Sequence, residues 1–285
     1  MIFKCLIIRN YGMKKLLLLN LLIFILSYQQ NAYSKNNLNI ITVSSIKEMI
    51  PYFDKTDQNT LVIFDIDSTL TTPSDQYLQR QTINNYKDTY ENLTHKLTEN
   101  QYRIFLHLII MDSPSMLVEQ ETPIIIKKLQ NNNVKLIGFT GSKFGALGTL
   151  PSFPEWRYQE LQRLGIDFID IFPGKTIFTE FYDLKGEHIG IEKGIVYSGY
   201  KNTKGSLLKK VLEELKLYPK QIMFIDDKKN NLISVLEASK SFLPKCQVIG
   251  FHYKGIELLP KATTNVKIFK KKIIKLIKKT QALSA

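Results

Sequence analysis

The sequence predicts an α/β protein in which a central parallel sheet is flanked by helices. Two observations support this fold class. Four short runs are almost entirely apolar, as expected of parallel strands that are buried on both faces. Segments with the helical spacing of apolar residues lie between these runs, and such alternation is typical of a parallel α/β sheet. The 285 residues of the chain are enough to form one large domain.

The four apolar runs are the predicted core strands. They cover Leu61–Asp67, Val134–Thr140, Gln221–Asp227 and Gln247–Tyr253. Three of them meet polar residues at their carboxyl ends, and ligands of open α/β sheets bind at that edge. We therefore expect the chemistry of this protein at the carboxyl edge of the sheet.

The remaining segments predict helices, one insert and one hairpin. The insert, at about residues 74–118, is polar, tyrosine-rich and helical in pattern, and it interrupts the alternation. Two strand-like pieces joined through Glu192-Lys193-Gly194 predict a hairpin over about residues 187–200. The predicted helices of the core are Glu121–Asn131, Glu155–Leu164, Ser206–Leu217 and Asn230–Lys240.

The amino terminus predicts a secretory signal peptide at residues 1–34. Met13-Lys14-Lys15 is followed by the apolar run Leu16–Ile25 and by a polar stretch that ends in Ala32-Tyr33-Ser34. A positive start, a short apolar run and small residues three apart are typical of a cleaved signal. We predict cleavage after Ser34 and export to the periplasm or the medium, with residues 1–12 as an extension before the true start. An uncleaved anchor is the alternative, although the run is short for a membrane span.

The positive charge is concentrated in the C-terminal tail. Residues 1–34 hold four positive residues and no acids, so the net charge of the chain falls from +13 to +9 without them. Residues 261–285 hold eight positive residues and no acids, and without these as well the net charge of the remaining body is +1. A nearly neutral body argues against nucleic acid as a partner, because domains that bind nucleic acid carry a basic face. The segment from about 266 to 279 predicts a basic amphipathic helix that packs on the sheet. Contact of this helix with an anionic membrane is the less favoured alternative.

Two aspartates at the end of the first run form the strongest motif. Asp65 and Asp67 share one face of an extended segment, because side chains two residues apart point the same way. Carboxylates that converge at a buried strand end repel each other unless a cation neutralises them. The oxygen ligands favour a hard divalent ion such as Mg²⁺. The alternative is that Asp65 and Asp67 are ordinary acidic residues at the point where the strand passes into a loop.

Two further motifs offer groups that bind anions. Thr140 and Gly141 end the second run, and a hydroxyl and a backbone N–H at this position suit a phosphate. Lys204 lies at the start of a predicted helix, where its positive charge can neutralise both a phosphate and the Asp65 carboxylate. Other lysines compete for this role, namely Lys193, Lys201, Lys209 and Lys210.

In their order along the chain, these motifs resemble those of the haloacid dehalogenase (HAD) superfamily over about residues 58–255. The resemblance implies a Rossmann-like HAD core within a domain of residues 35–285, with the insert as a cap. More narrowly, the chain resembles a group of secreted bacterial HAD-like proteins of unassigned function. Two segments contribute to this narrower resemblance, Trp156-Arg157-Tyr158 and Leu164–Phe168. We assign no catalytic role to those two segments.

The resemblance also implies a role for each motif residue. Asp65 is the expected nucleophile, and Asp67 the expected acid and then base. Thr140, Gly141 and Lys204 are the expected phosphate-binding residues. The adjacent acids Asp226 and Asp227 match the fourth motif of the family and complete a Mg²⁺ site with Asp65 and Asp67, the latter through its backbone carbonyl.

The expected function is therefore Mg²⁺-dependent hydrolysis of a phosphorylated small molecule through an aspartyl phosphate. An exported binding or surface protein that uses the same fold without turnover is the alternative, since fold does not dictate function. The acid–base residue Asp67 argues against this alternative, because a binding protein does not need it. A related reaction of the superfamily, dehalogenation or phosphonate cleavage, is a second rival. The acids at positions 226 and 227 favour a metal and so disfavour metal-free dehalogenation.

Overall fold

The structure is a computed structural model that describes residues 38–183, 186–260, 263 and 265–284. The predicted signal peptide lies outside the described residues. Ten strands are described, namely β1 (Ile40–Val43), β2 (Thr60–Phe64), β3 (Thr71–Pro73), β4 (Ser115–Leu117), β5 (Lys135–Thr140), β6 (Lys175–Tyr182), β7 (His188–Glu192), β8 (Ile195–Tyr197), β9 (Gln221–Asp226) and β10 (Gln247–Tyr253).

Ten α-helices are described between and after these strands. They are α1 (Ile50–Phe53), α2 (Arg80–Asn85), α3 (Lys87–Thr94), α4 (Glu99–Met111), α5 (Thr122–Asn131), α6 (Phe153–Arg163), α7 (Lys204–Glu214), α8 (Lys229–Phe242), α9 (Gly255–Leu258) and α10 (Val266–Ser284). Short 3₁₀ helices at Ile46–Met49 and Ile169–Ile171 complete the described secondary structure.

Eight of the described strands form one sheet in the order β1-β10-β9-β2-β5-β8-β7-β6. The first six strands of this order run parallel, whereas β7 pairs antiparallel with both β8 and β6. The sheet is flanked by helices, so the predicted α/β class is confirmed. All four predicted core strands are present, and they lie side by side as β10, β9, β2 and β5.

The middle of the sheet forms the core of the domain. Every residue of β2 is buried, and its apolar residues from Leu61 to Phe64 are at most 1% exposed. The same holds for the apolar residues of β9 from Ile222 to Ile225. Burial on both faces explains why these strands are continuous apolar runs without alternation.

The predicted hairpin corresponds to β7 and β8. The two strands pair antiparallel, with Glu192 opposite Ile195, so a two-residue turn joins them. Both turn residues have positive φ, 51° for Lys193 and 73° for Gly194. This backbone suits the turns that tight hairpins require, and glycine adopts it without steric cost.

The predicted helical insert is also present. It consists of α2, α3 and α4, and the short antiparallel pair of β3 and β4 closes it at its base. Helix α4 begins with a capping box, in which the Thr98 hydroxyl accepts the Gln101 N–H and the Gln101 side chain accepts the Thr98 N–H. This arrangement satisfies two donors that a helix start leaves unpaired.

The C-terminal helix α10 packs on the insert and not on the sheet, so the predicted location of this helix is wrong. Its buried residues Phe269, Ile273 and Leu276 join a cluster with Phe105 and Leu108 of α4. The reason is that the insert helices present an apolar surface of their own, which α10 covers. Among the described residues, no helix is both long and apolar enough to span a membrane.

A buried histidine connects the insert to the sheet. The Nδ1 atom of His107 on α4 lies 2.8 Å from the carbonyl oxygen of Arg103. Its Nε2 atom accepts a hydrogen bond from the backbone N–H of Lys143, which follows β5, at 2.9 Å. The ring is therefore neutral with its proton on Nδ1, and burial lowers its pKa from 6.5 to about 4.

We expect this histidine to make the fold sensitive to acid. The unfolded chain binds a proton at His107 below about pH 6.5, whereas the folded chain does so only near pH 4. The free energy of unfolding should therefore fall by about 2 kcal/mol between about pH 7 and pH 5 through this residue. Urea denaturation of wild type and His107→Gln over this range measures the effect, and equal pH dependence in both proteins would contradict it.

Candidate functional site

The predicted site residues gather at the carboxyl edge of the sheet. Asp65 directly follows β2, and its backbone N–H donates to the carbonyl oxygen of Ile225 on β9 at 2.9 Å. Three residues later the chain turns at Ser68, whose φ of 70° lies in the left-handed region that few residues other than glycine adopt. Thr140 ends β5 and Asp226 ends β9, so the three neighbouring strands deliver their polar residues to one place.

Asp65 lies at the centre of this group. Its carboxylate is almost fully buried and accepts two hydrogen bonds, from Lys204 Nζ at 2.6 Å and from the Thr69 hydroxyl at 2.8 Å. Burial and the nearby Asp226 carboxylate raise its pKa to about 6, against the opposing effect of Lys204. A carboxylate that is held by two donors keeps a fixed orientation toward the cavity.

Lys204 is the lysine that the structure places among the carboxylates. It is 3% exposed, and its Nζ also donates to Asp226 Oδ2 at 2.7 Å. Burial would lower its pKa, but the Asp226 and Asp65 carboxylates raise it above the ordinary value. Of its competitors, Lys193 pairs with Glu155. Two others form ion pairs with other acids, Lys209 with Glu213 and Lys210 with Glu180.

The residue after Lys204 allows the close packing that positions it. A side chain at Gly205 would place its Cβ 2.0 Å from the backbone oxygen of Ser234 on α8. Only glycine therefore lets the first turn of α7 lie against α8. Thr203 caps this turn, since its hydroxyl accepts the N–H of Ser206 at 3.1 Å. The start of α7, and with it Lys204, is fixed from two sides.

Three buried carboxylates form a group that fits a metal ion. One oxygen each of Asp65, Asp226 and Asp227 lies within 4.8 Å of the others. Asp227 forms an ion pair with Arg80 of α2, yet neither of its buried oxygens accepts a hydrogen bond of regular geometry within the described residues. A group made only of buried carboxylate oxygens, of which Asp227 Oδ1 has no donor among the described residues, suits Mg²⁺.

Asp226 is held more firmly than Asp227. The Asn231 side chain donates to both of its oxygens, at 3.0 and 2.9 Å, and the backbone N–H of Lys228 donates to Oδ1 at 2.8 Å. The Thr69 hydroxyl, which donates to Asp65, accepts the backbone N–H of Asp227 at 3.2 Å. This hydroxyl connects the two acidic motifs.

The side chain of Asp67 is held by residues of β5 and α6. Its Oδ1 accepts a hydrogen bond from Arg157 at 2.6 Å, and its Oδ2 accepts one from the Thr140 hydroxyl at 3.0 Å. Ser142 adds a longer contact of 3.3 Å. Burial would raise the pKa of Asp67, but the Arg157 guanidinium and the Thr140 hydroxyl hold it below its ordinary value.

Two of the three expected phosphate-binding residues line the same space. Gly141 and Lys204 both line the cavity that contains Asp65 and Asp67. Thr140 is completely buried, and its hydroxyl is engaged with Asp67. Thr140 therefore orients a carboxylate, a contact that the sequence pattern did not indicate.

Several residues of the site were not predicted from the sequence. Arg157 was noted only as part of a similar segment, although it is 1% exposed and bonds Asp67. Its signal was weak, because one arginine in an amphipathic helix is usually a surface charge. The other additions are Thr69, Arg80 and Ser142.

The site opens into a cavity of about 590 Å³ between the sheet edge and the insert. Its floor contains Asp65, Asp67 and Lys204. Its other walls include residues of α2, α3 and α4, so the insert covers the carboxylates. A cavity of this volume is ordinary for a small-molecule site.

Comparison with known proteins gives the relatives of this chain. It is 25% identical over 253 residues to "Uncharacterized protein RP296" of Rickettsia prowazekii (strain Madrid E), which covers 87% of this chain and 87% of the relative. The family described as "Protein of unknown function (DUF2608)" matches residues 42–284, which include the sheet, the insert and all the site residues above. Because this match covers most of the chain, the protein belongs to the DUF2608 family.

Proposed function

We propose that this site hydrolyses phosphomonoesters with the help of Mg²⁺, in the manner of HAD hydrolases. One observation carries the proposal. The buried Asp65 carboxylate lies at the end of the central strand, between the cation Lys204 and the acids Asp226 and Asp227, beside a second carboxylate at Asp67. A nucleophile, a charge-neutralising lysine, a metal-binding group and an acid–base residue are the parts that phosphoryl transfer to an aspartate needs.

Asp65, Asp226 and Asp227 are the side chains that would hold the ion. When bound, Mg²⁺ withdraws charge from the phosphoryl oxygens and offsets the repulsion between them and the carboxylates. Lys204 contributes positive charge to the same place, through an ammonium group that already touches Asp65. Gly141 lines the cavity beside these groups and supplies backbone contacts to the phosphate.

The chemistry takes two steps at Asp65. In the first, a carboxylate oxygen of Asp65 bonds to phosphorus, the bond to the alcohol oxygen breaks, and Asp67, which must enter this step in its protonated form, gives that oxygen its proton. In the second, Asp67 takes a proton from water, the water oxygen bonds to phosphorus, and the bond to Asp65 breaks. Inorganic phosphate leaves, Asp65 is again a carboxylate and Asp67 again carries its proton.

Hydrolysis of p-nitrophenyl phosphate tests this proposal. The mature chain from Lys35 should release p-nitrophenol in Mg²⁺ and not in EDTA. Activity that is equal in both solutions would contradict the metal-dependent mechanism. Binding of Mg²⁺ and phosphate without turnover of any phosphomonoester would support the non-catalytic alternative instead.

Arg157 should matter for the second step, because it holds Asp67 in place and favours its ionised form. We expect Arg157→Met to lower kcat by roughly 10- to 100-fold. The fraction of enzyme that is phosphorylated during turnover should rise, because the water step is slowed. Arg157→Lys should recover part of the rate, since it keeps a positive charge.

A matched control lies on the same helix. Arg163 is about half exposed and contacts Glu160 and the backbone oxygen of Ser115, remote from Asp67. Arg163→Met should leave kcat and the phosphorylated fraction near wild type. Equal effects of the two substitutions would show that Arg157 serves only the fold of α6.

A further inference from the structure

The cavity above the carboxylates has more room than a phosphate group needs. Its volume of about 590 Å³ lies within the range of sites that enclose whole small molecules. The space beyond the phosphate must therefore receive the alcohol part of the substrate. The side chains that line this space indicate the chemistry of that alcohol.

The insert gives the cavity an apolar stretch of wall, beside a polar stretch that is formed by Arg80, Asn84, Lys87 and Glu91 of α2 and α3. The apolar stretch is lined by Leu78, Ile83, Leu106, Ile109 and Ile110. A sugar or polyol in this position would lose hydrogen bonds to water without gaining partners from these side chains, which is costly. An apolar group loses nothing of this kind and gains by leaving water.

This wall is backed by the packing of the insert. Leu78 and Ile109 belong to the cluster that α10 covers with Phe269, Ile273 and Leu276. The wall is thus formed before a ligand arrives, and binding does not have to order it. A preformed apolar wall favours rigid ligands, because neither partner loses much conformational freedom.

Three tyrosines add aromatic surface to the cavity. Tyr90 and Tyr102 come from the insert, and their hydroxyl oxygens lie 3.1 Å apart. Tyr200 comes from the loop after β8, and its ring packs under the Arg103 guanidinium at 5.1 Å and against His107. Rings that are held in this way offer faces and edges to another ring.

We propose that the substrates are phosphomonoesters with an aromatic leaving group, whose ring is received between the apolar insert wall and the tyrosines. This inference rests on the proposed function, because it assigns the phosphate to the Asp65 end of the same cavity. Sugar phosphates and short alkyl phosphates are correspondingly poor substrates.

Two phosphonates that cannot be hydrolysed separate ring binding from chemistry. We expect benzylphosphonate to bind the full chain in Mg²⁺ about 10- to 100-fold more tightly than ethylphosphonate, the effect of burying one ring. Titration calorimetry measures both affinities. The corresponding esters, benzyl and ethyl phosphate, test turnover, because their alcohols have closely similar acidity and differ mainly in the ring. The ratio of their kcat/KM values should follow the ratio of affinities.

Substitutions on α4 test where in the cavity the ring of the substrate binds. Leu106→Asn and Ile110→Asn change side chains that line the cavity and are only partly buried, so the fold should tolerate them. Each should lower the preference for benzylphosphonate at least several-fold and leave ethylphosphonate binding unchanged. Ile124→Asn, at a position of α5 that is 71% exposed, is the matched control and should keep the full preference.

The outcomes distinguish this inference from the proposed function. Equal affinities for the two phosphonates in the wild-type protein, with turnover of both esters, overturn the aromatic specificity and leave the phosphatase intact. Absence of binding of either phosphonate, together with absence of turnover, overturns both. A preference that survives Leu106→Asn and Ile110→Asn overturns the assignment of the ring to this wall.

Discussion

The Asp65→Asn variant should lose Mg²⁺-dependent phosphatase activity by at least roughly 10⁴-fold, because the amide cannot serve as the nucleophile and no other group takes its place. The substitution preserves the size of the side chain and one acceptor oxygen for Lys204 or Thr69, so the fold should survive. Steady-state hydrolysis of p-nitrophenyl phosphate at saturating Mg²⁺ measures the loss, and circular dichroism confirms the fold.

Two controls separate the nucleophile from the ion. Asp54→Asn makes the same chemical change at an exposed ion pair with Lys128 and should leave the rate unchanged. Asp226→Asn should weaken Mg²⁺ binding, so that part of the activity returns as the Mg²⁺ concentration is raised. The activity of Asp65→Asn should not return in this way. Retention of a tenth or more of the wild-type rate by Asp65→Asn would exclude this aspartate as the nucleophile.

Lys204→Met should strongly destabilise the protein in the absence of metal. The ammonium group is the shared partner of two buried carboxylates, Asp65 and Asp226. Removing one member of a buried ionic group leaves charge without compensation, and we expect the free energy of unfolding to fall by about 3–5 kcal/mol in EDTA. Added Mg²⁺ should restore part of this stability, because a divalent cation offsets the same carboxylates.

Urea denaturation in EDTA and in Mg²⁺ measures both effects. Lys209→Met is the matched control, since Lys209 lies on the same helix but is exposed and pairs only with Glu213. Its loss should cost less than about 0.5 kcal/mol. If the two variants were equally stable in EDTA, the lysine at position 204 would not be the cation that holds the carboxylates together.

The parts of the fold that local pattern determines were predictable. A strand that is buried on both faces must be apolar throughout, and this made the four central strands visible in the sequence. The acids that follow β2 and β9 meet because the strands are parallel neighbours. Lys204 was harder to choose among nearby lysines, because it is the fold that brings its ammonium group to Asp65 and Asp226.

The parts that depend on long-range packing were not predictable. The bond from Arg157 to Asp67 joins residues 90 positions apart, and no local pattern distinguishes this arginine from a solvated one. Helix α10 has an apolar face that fits a sheet or an insert equally well. Its location follows from the apolar surface of α4, which corresponds to the apolar segment from Ile104 to Met111 at the end of the insert.

The measurement that tests the central claim most directly is detection of the phosphorylated intermediate. Wild-type protein is mixed with p-nitrophenyl phosphate and Mg²⁺, quenched in acid during turnover, digested and analysed by mass spectrometry. We expect a peptide that is heavier by one phosphoryl group, with the modification on Asp65, and none in the Asp65→Asn variant. Turnover with an unmodified Asp65, or with the phosphoryl group on another residue, would contradict the proposed mechanism.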